Sequence, residues 1–121
     1  MLKKIQVNLA IIYALIRGVA RYHGPLVALT YYSLDYADPT QVAGTEALNS
    51  AIASVTVKFG GKVADGFAAF QGPSDAAGGS PCAAGLLIKL PDGTCNIHPS
   101  PAGHLLLAQA IEEVVGALPP K

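Results

Sequence analysis

Apolar side chains recur every three or four residues along three long stretches of the chain, which is the spacing of one buried face of an α-helix. The first stretch covers residues 3 to about 21 and ends at His23-Gly24-Pro25, the second begins near Thr45 and ends at Gly60-Gly61, and the third runs from about Pro101 to Leu118, before Pro119-Pro120. We expect the buried stripes of these helices to comprise Ile5, Leu9, Ile12, Ile16 and Val19; Leu48, Ile52, Val55 and Phe59; and Leu107, Ile111, Val114, Val115 and Leu118.

Short apolar runs between the helices predict β-strands. Leu26–Tyr32 is nearly continuous in apolar, β-prone residues, which is typical of a strand buried on both faces of a parallel sheet. Lys62–Asp65 is a shorter candidate, with Phe67 and Phe70 as core contacts just beyond it, and Gly85–Leu90 is a candidate edge strand. The sequence therefore predicts two clear strands and one weaker one.

The order of elements predicts an α/β fold. Ser33–Gly44 is predicted to be a loop and residues 71 to 95 the least regular segment, so the order is helix, strand, helix, strand, long loop, helix. Such alternation predicts a parallel sheet flanked by helices in three layers. Because two strands make a poor sheet, we expect residues 1–121 to form one partial domain. Either it is the carboxy-terminal part of a longer protein, or it completes its sheet by self-association.

Composition and charge narrow the function classes. The chain has 121 residues, 51% of them hydrophobic and 13% charged, and eight basic residues balance eight acidic ones. Without a basic stripe we expect no nucleic-acid partner. The amino-terminal residues resemble a signal peptide superficially, but Gln6 and Asn8 interrupt the run. We read it as a helix of the fold, and a signal peptide is the alternative. The longest apolar run there, Leu9 to Ile16, is too short to span a bilayer, which takes about 20 residues.

Cys82 and Cys95 flank a segment of twelve residues that contains glycine and proline. A disulfide that closes this loop is the favoured interpretation, and it would indicate an oxidising compartment, in a secreted or cell-envelope protein. The alternative is a pair of free, buried thiols in a cytosolic protein. A zinc site is disfavoured because it would need a second pair of ligands.

The segment from Thr94 to Leu105 carries the strongest candidate chemistry. His98 stands before proline in a predicted rigid loop, Ser100 is the expected N-cap of the last helix, and Pro101 is its expected first residue. Such a position can hold an imidazole toward a cleft. Considered alone, the same spacing also fits an ordinary loop histidine.

Together with the order of elements, several blocks resemble the C-terminal half of an SGNH (GDSL-like) hydrolase, of the secreted bacterial ester-hydrolase type. The most specific is the His-Pro segment before the last helix, where that family has its catalytic histidine. The blocks are Leu15-Ile16-Arg17, Thr30-Tyr31-Tyr32, Leu48-Asn49-Ser50-Ala51-Ile52, Val63-Ala64-Asp65 and Asn96-Ile97-His98-Pro99-Ser100-Pro101-Ala102-Gly103-His104.

The resemblance implies a partial SGNH, flavodoxin-like fold whose amino-terminal strands are missing. It implies hydrolysis of short-chain acyl esters or lipids, with no metal or organic cofactor. His98 would be the general base that activates a serine. Asn96 stands where the family usually has an aspartate, and it could orient the imidazole without neutralising it. The nucleophile and oxyanion blocks, Gly-Asp-Ser and the later glycine and asparagine, have no counterpart here, since Asn8 and Asn49 lie in predicted helices.

Other residues are weaker candidates for parts of such a site. Asp92 or Asp65 could supply the acid, although both fit turn or surface positions, and Ser33 follows a strand but lacks the strained turn that presents a nucleophile. Ser100 is accounted for as a cap, His23 and His104 fit a loop and a helix surface, and Tyr31 and Tyr32 could line a pocket. The alternative function is a non-catalytic, truncated homologue that binds a partner, such as a second copy or a complementary amino-terminal half.

Overall fold

The structure, a computed structural model, describes residues 1–116. Within them the chain forms four α-helices and four short strands. The helices are α1 (Leu2–Ala14), continued by a π-helical turn (Leu15–Val19), α2 (Pro39–Lys58), α3 (Gly66–Ala76) and α4 (Pro101–Val115); the strands are β1 (Val27–Leu29), β2 (Lys62–Ala64), β3 (Leu87–Lys89) and β4 (Cys95–Pro99). The predicted end of the last helix at Leu118 and the Pro119-Pro120 stop lie outside the described residues.

Two small sheets make the fold a mixed α/β arrangement. Strands β1 and β2 pair in parallel, with Val27 opposite Lys62 and Leu29 opposite Ala64, as the alternation of helices and strands predicts. Strands β3 and β4 form a separate antiparallel pair. Strand β1 is only half-buried, whereas the sequence predicts burial on both faces. The reason is that, among residues 1–116, β2 is the only strand beside it.

Helix α2 begins six residues earlier than predicted, at Pro39 rather than Thr45. The Asp38 carboxylate accepts hydrogen bonds from the backbone N–H groups of Thr40, at 2.9 Å, and Gln41. Proline suits the first helical position because its fixed φ is helical and its missing N–H has no partner there. The Asp-Pro pair therefore starts the helix, and the predicted loop from Ser33 to Gly44 is correspondingly shorter.

Helix α3 is absent from the sequence prediction. Asp65 caps it by accepting a hydrogen bond of 2.9 Å from the backbone N–H of Ala68, and Phe70 is fully buried, as predicted. Gly72 and Pro73 look like helix breakers, yet both lie inside the helix. Burial of the Phe70 side chain stabilises the helix enough to override these unfavourable propensities.

The segment before α4 is a strand and not the predicted loop. Strand β4 contains His98 and pairs with β3, which lies within the predicted edge strand Gly85–Leu90. Cys82 and Cys95 are joined by a disulfide with a Cα–Cα distance of 5.8 Å, so the disulfide prediction is confirmed and the free-thiol and zinc alternatives are wrong. The disulfide fastens the long loop to β4.

The hydrophobic core lies between α3, α4 and the hairpin that β3 and β4 form, where Phe70, Leu86, Leu87 and Leu107 pack together. Helix α1 packs instead on α2. Its most buried side chain is Tyr13, whose hydroxyl shares a hydrogen bond of 2.8 Å with the Thr56 hydroxyl.

The predicted buried stripe of α1 is therefore partly wrong. Ile12 and Val19 are 51% and 77% exposed, and Ile12 lines an open apolar cavity of about 540 Å³ that α1 forms with β1 and α2. The stripe of α2 is confirmed, since Leu48, Ile52 and Phe59 are half-buried and Val55 is buried.

Candidate functional site

His98 is held between two well-fixed elements. It lies in β4, the second strand of the β3–β4 hairpin, and α4 begins three residues later with Ser100 as its N-cap, as predicted. The Ser100 hydroxyl donates a hydrogen bond of 2.6 Å to the carbonyl of Gly85 and accepts one of 3.2 Å from the backbone N–H of Gly103. The Ser100 side chain thus ties the start of α4 to the loop before β3.

The exposed imidazole of His98 lies at a groove of about 480 Å³. One side of the groove comes from the end of β1 and from α2, and the other from β4. Its apolar and aromatic lining consists of Tyr31, Tyr32, Leu34, Leu48 and Ile97, and its polar lining of Gln41 and Thr45. We call this depression the His98 groove.

Tyr32 joins the two sides of the His98 groove. Its hydroxyl donates a hydrogen bond of 2.7 Å to the carbonyl of Ile97, and its ring stacks on that of Phe70 at a centroid distance of 4.3 Å. Burial raises the pKa of Tyr32, and the neighbouring Tyr31 hydroxyl adds to the increase. The hydroxyl therefore stays protonated and remains a donor to β4 under ordinary conditions.

Asn49 fixes the backbone of Tyr31 at the other end of the groove. Its side-chain N–H donates to the carbonyl of Tyr31 and its side-chain oxygen accepts from the N–H of Tyr31, both at 2.8 Å. The sequence indicates only that Asn49 lies in a helix. This positioning role requires α2 to lie beside the end of β1, for which the chain offers no local signal.

Asn96 contacts the backbone of His98 and not its ring. Its side-chain oxygen accepts a hydrogen bond of 2.9 Å from the N–H of His98. Among residues 1–116 no side chain forms a hydrogen bond with the imidazole. The role of Asn96 as an orienting partner of the ring stays a prediction.

The two aspartates considered as an acid partner have other contacts. The Asp92 carboxylate accepts hydrogen bonds from the N–H and the hydroxyl of Thr94, at 3.0 and 2.6 Å, in the turn between β3 and β4. The bond from the Thr94 hydroxyl and the one from its N–H lower the pKa of Asp92. Asp65 caps α3. The sequence indicates turn or surface positions for both. Asp92 lies in a turn, whereas Asp65 caps a helix that the sequence does not predict.

The serines near the groove are likewise engaged. Ser33 is fully buried, and its hydroxyl donates a hydrogen bond of 2.9 Å to the carbonyl of Asp35. Its backbone N–H donates to the Tyr36 hydroxyl, which in turn donates to the carbonyl of Phe67 at 2.7 Å. Ser33 therefore has a structural role in this turn, and Ser100 has its cap. His23 and His104 are both exposed, in a loop and on α4.

A second cavity, of about 600 Å³, lies at the carboxyl ends of β1 and β2, the edge where parallel α/β proteins bind ligands. Thr30 and Asp65 follow the two strands, and Glu46 and Asn49 face them from α2. The Thr30 hydroxyl is already used, since it accepts a hydrogen bond of 3.0 Å from the N–H of Gly66. No cluster of three potential metal ligands occurs in the part of the chain that the structure describes.

Comparisons with protein families, with curated proteins and with solved structures found no match for this chain. None of the helices within the described range is both long enough and apolar enough to cross a membrane.

Proposed function

We propose that this chain is the histidine-bearing, C-terminal portion of an SGNH-type ester hydrolase. The observation that carries the proposal is the combination of the Asn96-Ile97-His98-Pro99 block with an exposed imidazole beside an apolar groove. In this proposal β1 and β2 are two strands of a larger, three-layer parallel sheet. The disulfide supports an oxidising compartment, and we place the protein outside the cell or in its envelope.

His98 acts in this proposal as the general base. The imidazole takes the proton of a serine hydroxyl as the serine attacks the ester carbonyl, and it returns the proton to the leaving alcohol. The serine and the oxyanion donors come from Gly-Asp-Ser, glycine and asparagine blocks that this chain lacks. Ser33 and Ser100 do not replace the serine, because their hydroxyls already donate to backbone carbonyls.

The test begins with the DNA upstream of the Met1 codon. An open frame with Gly-Asp-Ser, glycine and asparagine blocks defines the longer protein, which we expect to hydrolyse p-nitrophenyl esters. Replacing His98 by Ala in that protein should lower kcat by about 10²- to 10⁴-fold, the usual contribution of a positioned acid–base group. The matched control is His104→Ala, an exposed histidine on α4 that does not line the groove. Equal activity of the His98 variant and the wild type would contradict the proposal.

Asn96→Asp separates the role of the partner from that of the base. A carboxylate stabilises the imidazolium that forms in the reaction, which a neutral amide does not do. We therefore expect Asn96→Asp to raise kcat in the longer protein, with a ceiling of about 10⁴-fold from the reverse change in a serine protease. The substitution keeps an oxygen that can accept the His98 backbone N–H. An unchanged or lower kcat would place the acid elsewhere.

A second candidate function is self-association without catalysis. The observation that favours it is the apolar outer face of α1, where Val7, Ile11 and Leu15 are each more than half exposed. Contiguous apolar patches on soluble proteins mark interaction surfaces. Light scattering of the purified chain tests this function, since a clean monomer at high concentration would contradict it.

A further inference from the structure

We infer that the His98 groove binds a single acyl chain of about eight to twelve carbons, with its ester or acid group at His98. The inference deepens the proposed function, on which the meaning of His98 rests, but it concerns binding and can be measured without turnover. It specifies a substrate class, medium-chain acyl compounds, in place of esters in general.

The chemistry of the lining favours an uncharged chain. None of the nine described residues that line the His98 groove is Asp, Glu, Lys or Arg. Tyr31, Leu34 and Ile97 are 58%, 44% and 59% exposed, so the groove leaves a large apolar surface uncovered. Covering such surface with methylene groups contributes about 0.8 kcal/mol for each one buried. A ligand that carries charges or many hydroxyl groups along its chain would lose hydration here, because no charged side chain is among the lining residues.

His98, Gln41 and Thr45 give the groove side chains that can form hydrogen bonds with an acyl head group. The imidazole of His98 can donate or accept a hydrogen bond. The Gln41 amide donates one N–H to the Asp38 carboxylate at 3.3 Å and keeps a second N–H and its oxygen. The Thr45 hydroxyl donates to the carbonyl of Gln41 at 2.9 Å and can still accept. The cavity at the strand ends differs, because Glu46 and Asp65 bring carboxylates to it. An ester or acid group is therefore better matched to the His98 groove than to the cavity at the strand ends.

We infer the chain length from the volume of the groove. Its volume of about 480 Å³ lies in the usual range of ligand pockets, about 300 to 1,000 Å³. At about 30 Å³ for each water-sized group, the groove has room for about sixteen non-hydrogen atoms. One medium-length acyl chain with its ester group has that size, and the two chains of a diacyl lipid exceed it.

The walls are held in place before any ligand arrives. The Tyr32 hydroxyl bonds the carbonyl of Ile97, its ring stacks on Phe70, and the Asn49 amide holds both backbone groups of Tyr31. A preformed groove lowers the entropic cost of ordering side chains when the ligand binds.

The experiment is a calorimetric titration of the purified chain with ethyl decanoate, decanoate and ethyl acetate. We expect saturable binding of the decanoyl compounds, with a negative heat-capacity change from burial of apolar surface, and no binding of ethyl acetate. Tighter binding of the ester indicates an ester substrate, and equal binding of the acid indicates a free fatty acid. Both results support the acyl groove. The inference is overturned if neither decanoyl compound shows saturable binding.

Matched variants locate the site. Leu34→Gln and Ile97→Gln change exposed side chains of the groove, and we expect each to weaken decanoyl binding by at least about tenfold, or about 1.4 kcal/mol. Ile88→Gln and Leu105→Gln change side chains of similar exposure that do not line it, and they should bind like the wild type. Equal loss in both pairs would overturn the assignment. Since binding does not require hydrolysis, the titration tests the groove even if the longer protein fails the esterase assay.

Discussion

Gly103 shows how a single residue lets α4 begin where it does. A Cβ at this position would collide with the carbonyl oxygen of Leu86 and press on Phe70 and Pro99, at 3.0 and 3.1 Å. The first turn of α4 therefore packs directly on the backbone that precedes β3. Because His98 lies just before that turn, the close approach also helps to set its position.

We expect Gly103→Ala to lower the free energy of unfolding by about 1 to 3 kcal/mol, the usual effect of overpacking a filled core. Urea denaturation followed by circular dichroism measures it. The matched control is Gly44→Ala, in the middle of α2, where a Cβ meets nothing within 4 Å. Glycine loses more conformational freedom on folding than alanine does, so that variant should be more stable by about 0.5 to 1 kcal/mol. The packing argument fails if the two variants change stability in the same direction.

Tyr36 provides a pH-dependent test of the turn that contains Ser33. Burial raises the pKa of Tyr36 from 10.0 to about 12, and the carboxylates of Asp65 and Asp75 add to the increase. The unfolded chain releases this proton near pH 10 and the folded chain near pH 12. The free energy of unfolding should therefore be unaffected by this group below pH 10 and fall as the pH rises from 10 to 12.

We expect Tyr36→Phe to reduce that decrease, because phenylalanine has no hydroxyl proton to release. Urea denaturation at pH 9 and pH 12 measures the difference for each protein. The loss of the Tyr36 hydrogen bonds already lowers the variant's stability at pH 9. Taking the difference between the two pH values for each protein cancels this loss. Tyrosinate absorbance should also lose its latest component in the variant. Identical pH dependence of the two proteins would contradict a raised pKa for Tyr36.

At the scale of elements, local signals decided which predictions succeeded. The amphipathic periods predicted α1, α2 and α4, and the Ser100-Pro101 signature predicted the start of α4. Helix α3 was missed because Gly72 and Pro73 interrupt it and its stability comes from burying Phe70 among distant residues. Strand β4 was missed because it is polar in part and depends on its pairing with β3.

The disulfide is the covalent link between the irregular segment and the hairpin. Cys82 and Cys95 are thirteen residues apart and both pack against the core cluster. The Cys82→Ser/Cys95→Ser variant should be less stable by about 3 kcal/mol, because the unfolded chain gains the freedom that the closed loop denies it. Urea denaturation compares this variant with the wild type. The matched control is the wild type measured with reductant, which should lose a similar amount. A stability equal to that of the oxidised protein would contradict the role of the cross-link.

At the scale of the whole molecule, the sequence predicted the residues of the candidate site better than their arrangement. His98, Tyr31 and Tyr32 were all singled out from the sequence, and all three line one groove. The sequence does not indicate that Leu34 lines the groove or that Asn49 positions Tyr31. Both residues are far from His98 along the chain. Their roles depend on the packing of α2 beside β1 and on the hydrogen bond from Tyr32 to β4. No periodicity or motif carries such long-range packing.

The outer edge of β1 is an unpaired sheet edge within residues 1–116. The carbonyl of Leu26 and the N–H of Thr30 bond toward β2, so the backbone groups of Val27 and Leu29, on alternate residues, point to the opposite side. Within residues 1–116 no strand pairs with that edge. Unpaired sheet edges pair with further strands, and the apolar outer face of α1 also favours association with another copy of the chain.

We expect the purified chain to self-associate, and Ile11→Glu to shift the equilibrium toward monomer by at least about tenfold in the dissociation constant. The reason is that a charge at the centre of the Val7, Ile11 and Leu15 stripe loses hydration in an apolar contact. Sedimentation velocity over a range of concentrations measures the change. Leu105→Glu is the control, because Leu105 is 59% exposed on α4 and lies outside that stripe. If both variants associate like the wild type, α1 does not form the contact, and the free edge of β1 remains the surface through which copies of the chain would meet.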